Sequence, residues 1–148
     1  MSPKLKIMKK LFIIMSILGS ICTSSIYAQD NTPSVVLSSF QKSFSNAANE
    51  TWSTVKGLYR ADFIFENEKV AAFFNPDGEL VASSRNVTLL QIPLSLKSGL
   101  KKDFHNYEVS NLFEVNKEEG TIYYAAINNS NKHLMLESTA SGTWIEKF

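Results

Sequence analysis

The chain has 148 residues, of which 44% are apolar and 20% are charged, a composition typical of a globular protein and unlike that of a disordered tail or a repeat fibre. The formal net charge is +1, but four of the lysines lie in a predicted export signal, and the rest of the chain has 11 basic and 14 acidic residues, a net charge of −3. The predicted mature chain is therefore slightly acidic, and Lys97, Lys101 and Lys102 form its only basic cluster. Because phosphate binding needs a basic surface, we do not expect a nucleic-acid partner.

The first 28 residues have the pattern of a secretion signal. Lysines at positions 4, 6, 9 and 10 precede an apolar run from Leu11 to about Ile21, and small or polar residues continue to Ala28. The run is too short to span a bilayer, which needs about 20 apolar residues. We therefore predict a signal peptide over 1–28, cleavage after Ala28, and a periplasmic or secreted protein of a Gram-negative envelope with no stable membrane span.

The only cysteine, Cys22, lies inside this segment, and the bulky Ile21 before it is unfavourable for lipoprotein processing. The predicted mature chain, 29–148, has no cysteine, so we expect neither a disulfide nor a thiol nucleophile. Its length suits a single domain with one core.

The first half of the mature chain predicts a helix followed by a three-stranded meander. Pro33 and Ser34 can open the helix, whose apolar residues recur at three- and four-residue spacing before it ends near 46–49: Val36, Leu37, Phe40 and Phe44. From Thr54 the period is two, with Tyr59, Ala61, Phe63 and Phe65 on one side of the first strand, and further strands are predicted at about 69–74 and 79–87. The turn between them, Asn75-Pro76-Asp77-Gly78, combines a fixed proline dihedral with a glycine that tolerates positive φ.

The second half repeats this order. A helix is predicted over Leu94–Phe104, weakened by Gly99 by about 1 kcal/mol relative to alanine. Strands follow at about 107–115, 121–128, 133–138 and 143–148, and in the first of them Tyr107, Val109, Asn111, Phe113 and Val115 are predicted to share one face.

The two halves also correspond residue by residue. The run from Val70 to Leu80 matches that from Tyr123 to Leu134 with a one-residue insertion. We therefore predict an α+β fold in which duplicated helix-plus-antiparallel-meander units, at about 34–91 and 92–148, form one curved sheet with both helices on one face.

These motifs resemble those of the PepSY-like, β-lactamase-inhibitor-like family of exported bacterial domains. The resemblance covers Val35 to Phe148 and is carried by Trp52, Tyr59-x-Ala61-x-Phe63, Val70-x-x-Phe73-Phe74-Asn75-Pro76-Asp77-Gly78-Glu79-Leu80 and Ile92-Pro93. It implies a fold like that of β-lactamase inhibitor protein, with a sheet face free to dock a partner. It implies no catalytic motif, and an inhibitory role is an analogy from fold alone.

The sequence has no recognisable set of catalytic or metal-binding residues. His105 and His133 are the only histidines after the signal, neither stands at metal-ligand spacing, and no Gly-x-Ser-x-Gly motif occurs. We therefore expect a non-enzymatic protein with no cofactor and no metal. The alternative is a small periplasmic hydrolase that uses His105 with a nearby serine or aspartate.

Aromatic side chains provide the remaining functional prediction. In the predicted register Phe113 faces the helices, whereas Ile64, Phe73 and Tyr124 project from the uncovered face, where exposed apolar groups would form a docking surface; Trp144 can join either set. We predict that these four residues bind a periplasmic protein or peptide, in a narrower version a hydrolase that the domain inhibits. A further alternative is an envelope-stress or assembly factor that adds a strand at the last strand, which ends at Phe148.

Overall fold

A computed structural model describes residues 31–147, so the predicted signal, its cleavage site and Phe148 lie outside the described residues. The described chain contains two helices and eight strands. In chain order they are α1 (Ser34–Ser43), β1 (Ala48–Val55), β2 (Leu58–Phe65), β3 (Glu68–Phe74), β4 (Leu80–Asn86), α2 (Leu94–Asp103), β5 (Glu108–Lys117), β6 (Gly120–Asn128), β7 (His133–Thr139) and β8 (Ile145–Lys147). No helix within 31–147 is long and apolar enough to cross a membrane.

Both predicted helices are present, and each follows a proline. The carbonyl oxygen of Pro33 accepts hydrogen bonds from the Val36 and Leu37 amides at 3.0 and 3.1 Å. The carbonyl oxygen of Pro93 accepts the equivalent bonds from amides in the first turn of α2. Each helix is followed by a phenylalanine whose amide still bonds to the carbonyl four residues earlier. Because α1 ends at Ser43, it is shorter than the sequence pattern indicated.

The eight strands form one antiparallel sheet in which each strand pairs with its neighbours along the chain, in the order β1 to β8. The first half contributes four strands, so the prediction of three was wrong. The missed strand, β1, has only one fully buried side chain, that of Trp52. A register shift between Ala48 and Thr51 also breaks its alternation, which is why periodicity did not reveal it.

The strand register places both helices on the same face of the sheet, as predicted. Phe63, Val70, Arg85, Glu114 and Tyr123 are consecutive cross-strand partners from β2 to β6 and therefore share a face. Phe63 packs in the cluster beneath α1, and Tyr123 packs in the cluster beneath α2. We call the opposite side the helix-free face.

One aromatic residue in this register differs from the prediction. Phe113 was expected to face the helices, but it pairs with Tyr124 and lies on the helix-free face. The cause is a β-bulge between Val109 and Asn111, which shifts the alternation of β5 by one residue. Val109 packs in the cluster under α2, whereas Phe113 and Val115 pack on the other side.

An ion-pair network fills the middle of the helix-covered face, where β4 lies between the two apolar clusters. Arg85 donates to Glu68 at 2.6 Å and to Glu114 at 3.1 Å, and the Tyr123 hydroxyl lies 3.3 Å from Glu114. Burial alone would raise the pKa of Glu114, but the hydrogen bonds from Arg85, Asn116 and Tyr123, together with the charge of Arg85, lower it overall.

This lowered pKa predicts an acid-dependent loss of stability. A carboxylate whose pKa is lower in the folded state stabilises the fold above its unfolded pKa, here near 4.5, and that contribution disappears as the pH falls through the folded value. Urea unfolding of the wild type between neutral and acidic pH should show the loss, and Glu114→Gln should reduce this pH dependence. Glu118→Gln, in the exposed β5–β6 turn, is the matched control. Equal pH profiles for the two variants would contradict the assignment.

Candidate functional site

The helix-free face is defined by cross-strand rows that the helices do not cover. Arg60, Phe73, Ala82 and Lys117 form one row from β2 to β5. Asp62, Ala71, Ser84, Val115 and Ile122 form the neighbouring row, continued to β6. The face therefore combines an apolar centre with charged and polar side chains around it.

Its apolar part is buried, contrary to the prediction of an exposed aromatic row. Phe73 and Tyr124 project from this face as expected, but each is only 2% exposed. They form a cluster with Ala71, Ala82 and Val115. Further apolar side chains pack against that cluster and shield it, including Val55 and Leu58 at the end of the β1–β2 hairpin and Met135 in β7.

Beside this cluster lies an open groove with a volume of about 680 Å³. Its lining includes Ile64 and Phe73, so the structure brings these two predicted site residues together in one cavity. Tyr124 belongs to the buried cluster behind Phe73 and does not line the groove. The remainder of the lining includes the apolar side chains of Ala71 and Phe113 and the polar side chains of Thr51, Asp62, Asn86 and Asn111.

The two asparagines were not predicted as site residues. Asn86 and Asn111 are exposed, and within residues 31–147 no hydrogen bond engages either carboxamide. Each carboxamide offers two donor hydrogens and an acceptor oxygen, the groups that a peptide backbone can pair with. Periodicity gave no signal for them, because polar residues on an uncovered strand face are ordinarily solvated.

Arg60 lies where the groove meets the buried cluster. Its Nη2 donates to Asp62 Oδ1 at 2.6 Å, and its guanidinium carbon lies 5.7 Å from the centroid of the Phe73 ring. The Nε atom of Arg60 is buried without a hydrogen-bond partner in the described structure. The stacking on Phe73 and the pairing with Asp62 hold the guanidinium in one position at the groove wall.

Two ionisable groups on the same face have shifted pKa values. Burial lowers the pKa of Lys117, against the opposing effect of Glu119 and Glu137, and its Nζ has no hydrogen-bond partner in the described structure. Burial, together with Glu137, raises the pKa of Tyr124 well above its ordinary value. The charge of Glu137 and the hydrogen bond that it accepts from the Tyr124 hydroxyl act in the same direction as burial.

Trp144, the fourth predicted site residue, lies on the opposite side of the sheet. It is 7% exposed in the cluster beneath α2, and its Nε1 donates to the Leu96 carbonyl at 3.0 Å. The structure thus assigns Trp144 to the core, since this hydrogen bond ties the β7–β8 connection to α2.

The structure places both histidines of the described chain at the surface. His105 and His133 are exposed, and the hydrogen bonds and ion pairs described for residues 31–147 involve neither imidazole. Within the same residues, no group of three histidine, cysteine, aspartate or glutamate side chains is close enough to hold a metal ion.

No family model and no curated protein matches the chain. Solved structures do. A protein of Bacteroides eggerthii, provisionally named as periplasmic, is 24% identical, with a TM-score of 0.74 over 78% of this chain and 88% of that one. A DUF2874 family protein of Bacteroides ovatus is 23% identical, with a TM-score of 0.73 over 78% and 86%. A BLIP-like protein of Bacteroides fragilis is 14% identical, with a TM-score of 0.70 over 89% and 90%.

The chain has a BLIP-like fold. At these identities the likeness extends to the fold alone, a sheet-rich α+β arrangement of one eight-stranded antiparallel sheet and two helices. The likeness to the BLIP-like protein covers nine-tenths of both chains, so it includes both halves of the sheet.

Proposed function

We propose that this protein is an exported, non-enzymatic binding module of the periplasm that holds a protein or peptide segment in the groove of its helix-free face. The observation that carries the proposal is the groove itself, a cavity of about 680 Å³ beside a buried apolar cluster. Recognition sites commonly combine such an apolar base with a few fixed polar groups. Here the partly exposed side chains of Ile64 and Phe113 supply apolar surface, and Arg60 supplies a fixed cation.

The shape of the face favours an extended segment over a small compact ligand. The groove crosses from β1 to β5, and hydrogen-bonding side chains occur on both sides of it, on β1 and β2 and again on β4 and β5. An extended chain presents donors and acceptors at regular intervals and can use carboxamides such as those of Asn86 and Asn111.

The periplasmic location is supported by the predicted signal and by the name of the Bacteroides eggerthii neighbour. Membership of the PepSY-like family and an internal duplication are part of the same proposal. The repeated order of one helix and four strands supports the duplication. Inhibition of a hydrolase is the narrower form, supported by the BLIP-like fold alone.

The two alternatives have less support. A hydrolase that uses His105 would need a nucleophile within hydrogen-bond reach, and none is bonded to His105 among the described residues. Strand addition would use an edge of the sheet. At one edge β8 has only three residues, and Phe148 lies outside the described chain. A short edge strand offers few backbone groups to a partner.

Filling the groove should abolish capture of a partner without unfolding the protein. Asn86→Arg and Asn111→Arg place long side chains into the groove from exposed positions, so the fold should tolerate them. We expect the double variant to recover at least about tenfold less of any periplasmic protein that co-purifies with the wild type, since loss of about 1.4 kcal/mol suffices for that factor. Quantitative mass spectrometry of the eluates is the measurement.

Asn106→Arg is the matched control, because Asn106 is an exposed asparagine in the connection between α2 and β5, outside the groove. It should retain the wild-type partner. Equal recovery by the wild type and the groove variant would reject the groove as the binding site. Circular dichroism should establish that all three proteins are folded.

A further inference from the structure

A second surface, on the helix-covered side, combines exposed leucines with lysines that form no ion pair within residues 31–147. Leu89, Leu90 and Leu94 are 46%, 89% and 75% exposed, in the connection from β4 and at the first residue of α2. Lys97, Lys101 and Lys102 follow on the same helix. We call these six residues the leucine–lysine patch.

A contact joins the loop part of the patch to α2. Lys97 Nζ lies 3.4 Å from the Leu90 carbonyl oxygen, so the loop leucines are held against the helix that carries the lysines. The loop is also closed locally, because the Thr88 amide donates to Gln91 Oε1 at 2.7 Å and the Gln91 amide donates to the Thr88 carbonyl. The leucines therefore protrude from a defined turn.

The charge of the patch differs from that of the rest of the protein. Within residues 31–147 none of its three lysines takes part in an ion pair, and Asp103 is the only carboxylate of α2, so the helix carries a net charge of +2. The chain after the predicted signal carries −3. A cationic region on an acidic protein orients it toward an anionic surface.

We propose that the leucine–lysine patch docks the protein peripherally on an anionic lipid surface. Protruding leucines can enter the boundary between headgroups and acyl chains, and lysines at their rim can reach the lipid phosphates while their stems stay on apolar surface. This occupant fits better than a protein, because Leu90 and Leu94 are 89% and 75% exposed and so protrude far enough to enter a lipid layer beside the lysines. Docking needs no membrane span, and it leaves the groove free on the other face of the sheet.

Vesicle flotation with the processed chain, residues 29–148, tests the proposal without interference from the signal segment. The wild type should bind phosphatidylglycerol vesicles and bind phosphatidylcholine vesicles much less, and added salt should weaken binding. Lys101→Gln with Lys102→Gln should reduce binding by about fivefold per lysine, since each lysine near an anionic surface contributes about 1 kcal/mol. Leu90→Ser with Leu94→Ser should reduce it by about tenfold or more.

Val35→Ser with Lys42→Gln is the matched control, because it removes an exposed apolar residue and an exposed lysine from the other helix. It should bind as the wild type does. Failure of the wild type to bind phosphatidylglycerol, equal binding to both lipids, or equal losses in the patch and control variants would each overturn the proposal. So would patch variants that keep full vesicle binding but lose a co-purifying protein, since that result would assign the patch to a protein partner.

Discussion

Phe73→Ala is expected to lower the free energy of unfolding by about 3 to 5 kcal/mol, the usual cost of removing a buried aromatic ring. Phe73 is 2% exposed and packs with Tyr124 and Val115 in the cluster on the helix-free face. Its ring also supports the guanidinium of Arg60. Equilibrium unfolding in urea, followed by tryptophan fluorescence and circular dichroism, measures the change.

Leu90→Ala is the matched control, since that leucine is almost fully exposed and its truncation should change stability by no more than about 0.5 kcal/mol. If Phe73→Ala were as stable as Leu90→Ala, the Phe73 ring would not be buried in the cluster. The result also matters for functional assays. A loss of partner binding in a Phe73 variant cannot by itself identify a contact residue, whereas the exposed groove asparagines avoid that ambiguity.

Gly99→Ala is expected to destabilise the protein by about 1 to 3 kcal/mol, although alanine is the better helix former by about 1 kcal/mol. A Cβ at position 99 would collide with the carbonyl oxygen of Gly142 and would lie 3.0 Å from Cδ1 of Trp144. The β7–β8 connection cannot move away freely, because the Trp144 indole and the Ser95 hydroxyl hydrogen-bond it to α2. The unfolding midpoint in urea, with the slope of the transition, measures the effect.

Ser98→Ala separates helix propensity from this close approach. Ser98 is exposed in the same helix, so alanine there should stabilise the protein by about 0.5 kcal/mol or less. If Gly99→Ala were as stable as Ser98→Ala, the contact between α2 and the β7–β8 connection would be looser than the structure indicates.

Local patterns in the sequence were sufficient for most of the elements. Three- and four-residue spacing located α1, Pro93 marked the boundary before α2, and two-residue alternation located most of the strands. The turn at 75–78 also follows from residue type: Gly78 has φ 83°, and Asn75 Oδ1 accepts the Asp77 and Glu79 amides. Such features depend on neighbours in the chain, which is why they can be deduced from sequence.

Apart from the earlier end of α1, the failures of the prediction involve contacts between distant parts of the chain or a local break in alternation. Because of a bulge in β5, Phe113 lies on the helix-free face and not on the predicted one. A register shift in β1 breaks the alternation by which that strand could have been predicted. For Gly99 the sequence indicated only a weaker helix, whereas the structure shows a close approach to Gly142. None of these features can be recognised from the spacing of apolar residues. The bulge and the register shift interrupt the alternation within a strand, and the glycine contact joins segments far apart in sequence.

The candidate site shows the same division. The sequence by itself determined the two helices, most of the strands, and the side of the sheet to which Phe73 and Tyr124 point, because side-chain direction follows the period of the strand. Only the tertiary structure decided that these rings are buried and that the accessible groove lies beside them, lined by Ile64, Asn86 and Asn111. Burial depends on which distant strands fold over a face, and alternation within one strand carries no information about that.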